Sequence, residues 1–197
     1  MYFDENGNIV KFVPKHDLEN IINAKIKQLN LCPPILSIDI IRNTSDLDLE
    51  LIEFETYKIG GILVKKTGTS SIAINSLHSR HSQNFIGMHE LIHYWFHPCD
   101  THLCKEFYKN SEGYEFQANY MAAAALMPKD LFIEKYYQYS GFTDKLSNEF
   151  YVSPKAVEIR ISNLKQDIDN AFSKYIKQLT KEDNLKEIFR IANKAIF

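Results

Sequence analysis

The chain has 197 residues, a length that fits one globular domain or one domain with a short appendage. Apolar residues make up 45% and charged residues 24%, and seven Gly and six Pro exclude a collagen-like or linker-dominated chain. The formal net charge of −2 gives no overall field that favours nucleic acid or an anionic membrane. Three cysteines are too few for a disulfide scaffold, and the N-terminus has no apolar stretch of signal length. We therefore expect a soluble cytoplasmic protein with reduced thiols.

The N-terminal half predicts a hairpin, a helix and a small sheet. Residues 1–13 predict a hairpin with its turn at Asn6–Gly7, and apolar residues from Leu18 to Leu29 recur at helical spacing. Residues 35–41 fit either a strand or a buried helix. Three short strand candidates follow, separated by glycine-containing turns, and predict an antiparallel meander: Leu51–Tyr57, Gly61–Lys66 and Ser71–Asn75.

The C-terminal half predicts helices throughout. The periodic segments are residues 82–96, 112–127 and 129–139, then two shorter helices within 142–165 and an amphipathic tail over 166–197. Ser153–Pro154 is a typical start for the second of the short helices. We expect residues 1–140 to form the core of the protein and residues 141–197 a helical region packed on it.

Residues 89–93 read His-Glu-Leu-Ile-His, within an apolar helical segment. On a helix, His89 and His93 lie on one face, so both rings can reach one metal ion. Glu90 lies about 100° further round the helix and can reach a water molecule in an open coordination position. This pattern predicts a catalytic zinc site, and zinc then needs a third protein ligand.

Two arrangements of the third ligand can be compared. A metzincin-type site needs Gly at position 96 and His at position 99, and Phe96 and Cys99 disfavour it. A thermolysin-like site takes a glutamate from a later helix, and Glu115 is followed four residues on by Asn119. Asn119 could then accept a hydrogen bond from the far ring nitrogen of a ligating histidine and fix its tautomer. The acidic residues that could substitute for Glu115 are Glu106 and Glu112.

The segments HELIHYWFH and EFQANYMAAAALMP together resemble the ImmA/IrrE family of zinc metallopeptidases. The clear resemblance covers residues 79–128, and departures such as Ile92, Met121 and Ala125 fall at packing positions. It implies an α+β, predominantly helical fold. In that fold a zincin-like core combines a small antiparallel sheet with an HExxH helix packed on a Glu-bearing helix. The residues it assigns are His89, His93 and Glu115 as Zn²⁺ ligands, Glu90 as catalytic base and Asn119 beside the ligands.

The resemblance also implies a function. Members resemble phage- or mobile-element-encoded endopeptidases that cleave a helix-turn-helix repressor, so we expect a protein substrate and no direct contact with nucleic acid or membrane. The alternative is a non-catalytic zinc-containing module that sequesters a regulatory protein. The strand Ser71–Asn75 could pair with an extended substrate. The candidates for stabilising the oxyanion are Tyr114, Tyr120, His78 and His81.

A second group of potential metal ligands follows the HExxH motif: His97, Cys99, His102 and Cys104. Its spacing fits no common zinc knuckle, so we expect a loop with reduced thiols. His97 matches a frequent histidine of the resembled family, where it has no ligand role. The helices within 142–165 carry a charge of only +1, which favours packing on the core or docking a protein substrate over binding DNA.

Overall fold

The computed structural model describes residues 3–5, 8–9, 13–98 and 111–181. Within them the chain forms seven helices and one three-stranded sheet, which confirms the predicted α+β, predominantly helical fold. The helices are α1 (Lys15–Gln28), α2 (Ser37–Arg42), α3 (Arg80–Phe96), α4 (Ser111–Leu126), α5 (Lys129–Gln138), α6 (Thr143–Phe150) and α7 (Pro154–Lys181). The strands are β1 (Leu47–Ile52), β2 (Gly61–Val64) and β3 (Ser70–Asn75).

The sheet is mixed, and the prediction of an antiparallel meander is wrong. β3 lies in the centre, where it pairs in parallel with β1 and antiparallel with β2. β1 begins at Leu47, which is buried, and not at Leu51 as predicted. The turn signals mark where strands end, but they do not specify which strand inserts between the other two.

Asn75 fixes the connection between β1 and β2, which forms one wall of the site described below. Its side-chain amide donates to the carbonyls of Thr56 and Ile59, at 2.9 Å each. Its Oδ1 accepts hydrogen bonds from the backbone amides of Phe54 and Leu77, at 3.3 and 3.1 Å. One buried side chain at the end of the central strand thus satisfies three backbone groups of the β1–β2 connection, which was partly predicted as strand, and one group in the turn after β3.

The predicted helices are present, with two refinements. Residues 35–41, left open between strand and helix, contribute to the short helix α2. α7 runs unbroken from Pro154 to Lys181, because no Gly or Pro interrupts this range, so the predicted division near residue 165 is wrong. Ser153 accepts a hydrogen bond from the amide of Ala156 at 3.3 Å, as expected for a helix cap.

The N-terminal segment contains a short antiparallel bridge. Phe3 and Ile9 form an antiparallel bridge, which agrees with a hairpin over residues 1–13. The predicted turn at Asn6–Gly7 and the predicted helix beyond residue 181 lie outside the described residues. Within the described part of the chain, no helix is long and apolar enough to cross a membrane.

The HExxH helix α3 is held by small and polar side chains as well as by apolar packing. It packs on α4, whose residues Ala122–Ala125 are buried, because alanine side chains let two helices approach closely. Asn84 of α3 accepts from the amide of Ser37 at 2.8 Å and donates to the carbonyls of Ile35 and Tyr151, at 3.0 and 2.9 Å. One buried amide therefore ties α3 to α2 and to the α6–α7 turn.

A buried ion pair joins the first described helix, α1, to the last, α7. Arg160 of α7 is fully buried, and its Nη2 lies 2.5 Å from Oε1 of Glu19 on α1. Arg160 Nε donates to the carbonyl of Met127 at 3.0 Å, and the Tyr120 hydroxyl donates to Glu19 Oε2 at 2.9 Å. The pair thus packs α7 against helices that precede residue 141. The domain boundary itself stays a prediction.

Candidate metal centre

The two histidines of the HExxH motif lie one turn apart on a well-anchored helix. Ser79 caps α3 by accepting from the amide of Ser82 at 3.3 Å, and Met88, Leu91 and Ile92 fix the helix in the core. The Nε2 atoms of His89 and His93 are consequently 3.1 Å apart, and both point towards α4.

Glu115 of α4 completes a set of three metal-ligating side chains. Its Oε2 lies 3.4 Å from His89 Nε2 and its Oε1 lies 3.6 Å from His93 Nε2. A tetrahedral zinc site with bonds of about 2.0–2.1 Å places its ligand atoms about 3.4 Å from one another. The three separations of 3.1, 3.4 and 3.6 Å match that spacing, so this donor set fits a zinc-sized ion. Glu106, one of the alternatives, lies outside the described residues, as does the side chain of Glu112.

Asn119 lies where the sequence predicts it, beside the histidines. Its Nδ2 donates to the backbone carbonyl of Glu115 at 2.9 Å, which leaves its Oδ1 as an acceptor. A hydrogen bond with the Asn119 side chain is one of the interactions that raise the pKa of His89. The arrangement suits a residue that orients a ligand histidine through its second ring nitrogen.

A chain of hydrogen bonds extends inward from His93. His93 Nδ1 lies 2.9 Å from His97 Nδ1, and His97 Nε2 lies 3.2 Å from Oε1 of Gln117 on α4. The Lys65 ammonium donates to the His97 carbonyl at 2.7 Å, and the Tyr114 ring covers the imidazole. Sequence reasoning gave His97 no role and missed Gln117 and Lys65. The spacing of four residues from His93 to His97 could have placed both on one face.

His97 therefore belongs to the interior next to the HExxH motif, where only 1% of it is exposed. The other members of the predicted cysteine–histidine group, Cys99, His102 and Cys104, lie outside the described residues. Among the described residues, the group of at least three potential ligands is His89, His93 and Glu115.

His89, His93 and His97 differ in their proton affinities. Burial lowers the pKa of His93 to about 3, with further lowering by the neighbouring charges of His89 and His97. Burial also lowers the pKa of His97 to about 4, against an opposing hydrogen bond to Gln117. For His89 the cost of burial is outweighed by the hydrogen bond and charge of Glu115 and by the charge of Glu90, so its pKa is raised. At neutral pH, His93 and His97 are neutral imidazoles.

The depressed pKa of His97 predicts acid sensitivity of the metal-free protein. Because the pKa falls from 6.5 in the unfolded chain to about 4, the unfolded state binds the proton more readily between these values. The stability contributed by neutral His97 is complete above pH 6.5 and is lost as the pH falls through 4. Urea unfolding at several pH values measures this effect. As the pH falls, the free energy of unfolding should decrease less for His97→Asn than for wild type. The raised pKa of His89 changes stability with pH in the opposite direction, so the test depends on the difference between the variant and wild type. Equal pH profiles for the two proteins would contradict the lowered pKa of His97.

The three potential ligands and Glu90 line one cavity of about 430 Å³. Its opposite wall is the loop before β2 and β2 itself, from Lys58 to Leu63. A Cβ atom at Gly61 would lie 3.1 Å from both Cγ and Oε1 of Glu90, so glycine lets the strand pass close to this carboxylate. The expectation that Ser71–Asn75 pairs with a substrate is wrong, because β3 is the central strand, and β2 is the edge strand beside the site.

A second cavity of about 510 Å³ adjoins the first and shares part of its lining. Three exposed apolar side chains line it, namely Tyr57, Phe116 and Ile159. The residues common to both cavities are Lys58, Gly60, Phe85, Ile86 and Asn119. Exposed apolar side chains concentrated at one concave surface are typical of a binding site.

The four candidates for stabilising an oxyanion are absent from the lining of the metal cavity. The Tyr120 hydroxyl donates to Glu19, and the Tyr114 ring lies tilted against the His97 imidazole. His81 packs edge-on against Tyr151, and His78 lines only the second cavity. Lys58 is the lysine in the lining of the metal cavity. Sequence reasoning missed it because the residues next to it in the sequence form no recognisable motif.

Comparisons with known proteins agree with this geometry. A family model described as the IrrE N-terminal-like domain, peptidase family M78, matches residues 42–162, more than half of the chain. A solved structure of a Mycobacterium tuberculosis transcriptional regulator is similar with a TM-score of 0.54 and 17% identity, over 82% of this chain and 49% of that one. At this identity the likeness concerns the fold alone, and our chain spans about half the length of that protein. A search of curated proteins found no match.

Proposed function

Because the chain belongs to the peptidase M78 family of IrrE N-terminal-like domains, we propose that it is a zinc-dependent endopeptidase. The observation that carries this proposal is the convergence of His89, His93 and Glu115 at zinc-like spacing, with Glu90 in the same cavity. A purely structural zinc site is usually closed by four protein ligands, whereas three ligands facing a cavity suit a catalytic site.

The ion would supply a Lewis acid that acidifies water and polarises the scissile carbonyl. The chain supplies the remaining functions. Glu90 lines the cavity beside the ligands, so its carboxylate is placed to accept a proton from the attacking water and to return it to the leaving amine. The side chain of Lys58 brings a positive charge to the same cavity and becomes our candidate for stabilising the oxyanion.

The shape of the cleft supports a polypeptide substrate. β2 is an edge strand that forms one wall of the metal cavity, so an extended backbone can pair with it. The adjoining apolar cavity could then receive a neighbouring side chain. Two adjoining cavities beside a strand edge suit a peptide better than a compact small molecule.

We further propose that the substrate is a helix-turn-helix repressor of phage or mobile-element origin and that cleavage takes place in the cytoplasm. The family membership supports this proposal. Extended binding at β2 requires local unfolding of the substrate, so the cut should fall in a loop or linker.

The proposal can be tested by incubating the purified protein with a helix-turn-helix repressor that is encoded next to its gene. We expect zinc-loaded protein to produce two fragments, identified by mass spectrometry, with the cut between packed helices. An intact repressor, together with free cleavage of an unrelated unfolded polypeptide, would contradict the specific target and leave a general protease.

The alternative function is a non-catalytic module that binds and sequesters a regulator. If this alternative holds, the protein should form a stable complex with the repressor without cutting it. Glu90 should then not be required for forming the complex.

A further inference from the structure

We propose that Gln117 and His97 are positioning residues that fix the tautomer and ring orientation of His93. This inference deepens the proposed function, because it rests on His93 acting as a metal ligand through Nε2. It concerns a pair of buried polar side chains that no resemblance or family match assigns to the site.

Gln117 lies on α4 and is 4% exposed. Its Oε1 faces His97 Nε2 at 3.2 Å, and a carbonyl oxygen can only accept a hydrogen bond. His97 therefore carries its proton on Nε2. Since a neutral imidazole has one N–H group, His97 Nδ1 retains a lone pair.

The position of the proton on His97 determines the position of the proton on His93. His97 Nδ1 lies 2.9 Å from His93 Nδ1, and this contact is a hydrogen bond only if one of the two nitrogens is protonated. Because His97 Nδ1 is the acceptor, His93 must donate from Nδ1. The lone pair of His93 then lies on Nε2, the atom that faces His89 and Glu115.

The reverse orientation would disable the ligand. If the Gln117 amide were turned, its NH₂ group would donate to His97 Nε2, and His97 would donate from Nδ1 to His93. The proton of His93 would then lie on Nε2, where a metal ion must bind. The direction of one amide on α4 thus decides whether a histidine on α3 presents a lone pair.

The surroundings of His97 hold it in this role. Lys65 on the segment after β2 donates to its carbonyl at 2.7 Å, and the Tyr114 ring lies with its centroid 4.8 Å from that of the imidazole. His97 directly follows the last residue of α3, and its backbone amide donates to the carbonyl of His93. These contacts fix the backbone and the ring plane together.

The first test is the tautomer of His93 in metal-free wild-type protein, measured by long-range ¹H–¹⁵N NMR of the imidazoles. We expect the proton on Nδ1 of His93 and on Nε2 of His97. A His93 proton on Nε2 would overturn the inference, and this readout requires no variant and no turnover.

The second test is zinc affinity, measured by competition with a chelator. Gln117→Met removes the acceptor and should weaken binding about 10–100-fold, as is typical for partners of ligand histidines. Gln117→Glu keeps an accepting oxygen and should retain most of the affinity and the His93 tautomer. Gln83 is also a buried glutamine, but it lies on α3. Gln83→Met is therefore the matched control and should leave zinc affinity unchanged.

Unchanged zinc affinity and tautomer in Gln117→Met would overturn the inference. Both readouts are independent of peptide cleavage, so an inactive but zinc-binding protein would contradict the proposed function without touching this inference. A protein that binds no zinc would fail the proposed function, while the metal-free tautomer would still decide the role of Gln117.

Discussion

Replacing Glu90 by glutamine should abolish peptide cleavage while leaving the fold and metal content intact. The amide has nearly the same shape as the carboxylate but cannot accept a proton from water, and general-base catalysis contributes about 10²–10⁴-fold in rate. We expect at least that loss in initial rates measured by mass spectrometry on zinc-loaded protein. Glu90 is 8% exposed and packs against Gly61, so the isosteric change should disturb the cavity little.

Glu134→Gln is the matched control for this variant. Glu134 is an exposed glutamate on α5 and is absent from the lining of both cavities. It should cleave at the wild-type rate. Equal rates for wild type and Glu90→Gln would eliminate the general-base role and favour the sequestering module.

Replacing Arg160 by methionine should lower the free energy of unfolding by about 3–5 kcal/mol, because it leaves the Glu19 carboxylate buried without its charged partner. Arg160 is fully buried, and Glu19 is 7% exposed. Urea denaturation monitored by circular dichroism measures this loss. The pair joins α1 to α7, so the variant should loosen the link between these two helices.

The exposed pair Lys155–Glu158 supplies the comparison for this prediction. Breaking it with Lys155→Met should change stability by no more than about 1 kcal/mol, because exposed ions are well solvated and screened. In the double variant Glu19→Leu with Arg160→Met, part of the stability should return, since no buried charge is left uncompensated. A loss below about 1 kcal/mol for Arg160→Met would contradict the account of a buried, mutually dependent pair.

The site could be predicted from sequence because its geometry depends on helices. One helical turn separates His89 from His93, and another separates Glu115 from Asn119, so local periodicity already places each pair on one face. The buried alanines of α4 indicated that two helices could come close enough to share an ion.

The sheet and the hydrogen-bond partners could not be predicted in the same way. The insertion of β3 between β1 and β2 depends on pairing between distant segments, which turn residues do not encode. The role of Asn75 in ordering the β1–β2 connection follows only from that topology. Likewise, Gln117 becomes a partner of His97 only through the packing of α4 on α3, since 20 residues separate them.

The central claim is that His89, His93 and Glu115 bind one zinc ion, and calorimetric titration of chelator-stripped protein with Zn²⁺ tests it most directly. The account predicts saturation at one ion per chain for wild type and no comparable binding for His89→Ala. It is contradicted if wild type binds no zinc, or if His89→Ala binds zinc with the same stoichiometry and affinity. In the latter case the ion is held elsewhere, and Cys99, His102 and Cys104 become the residues to test.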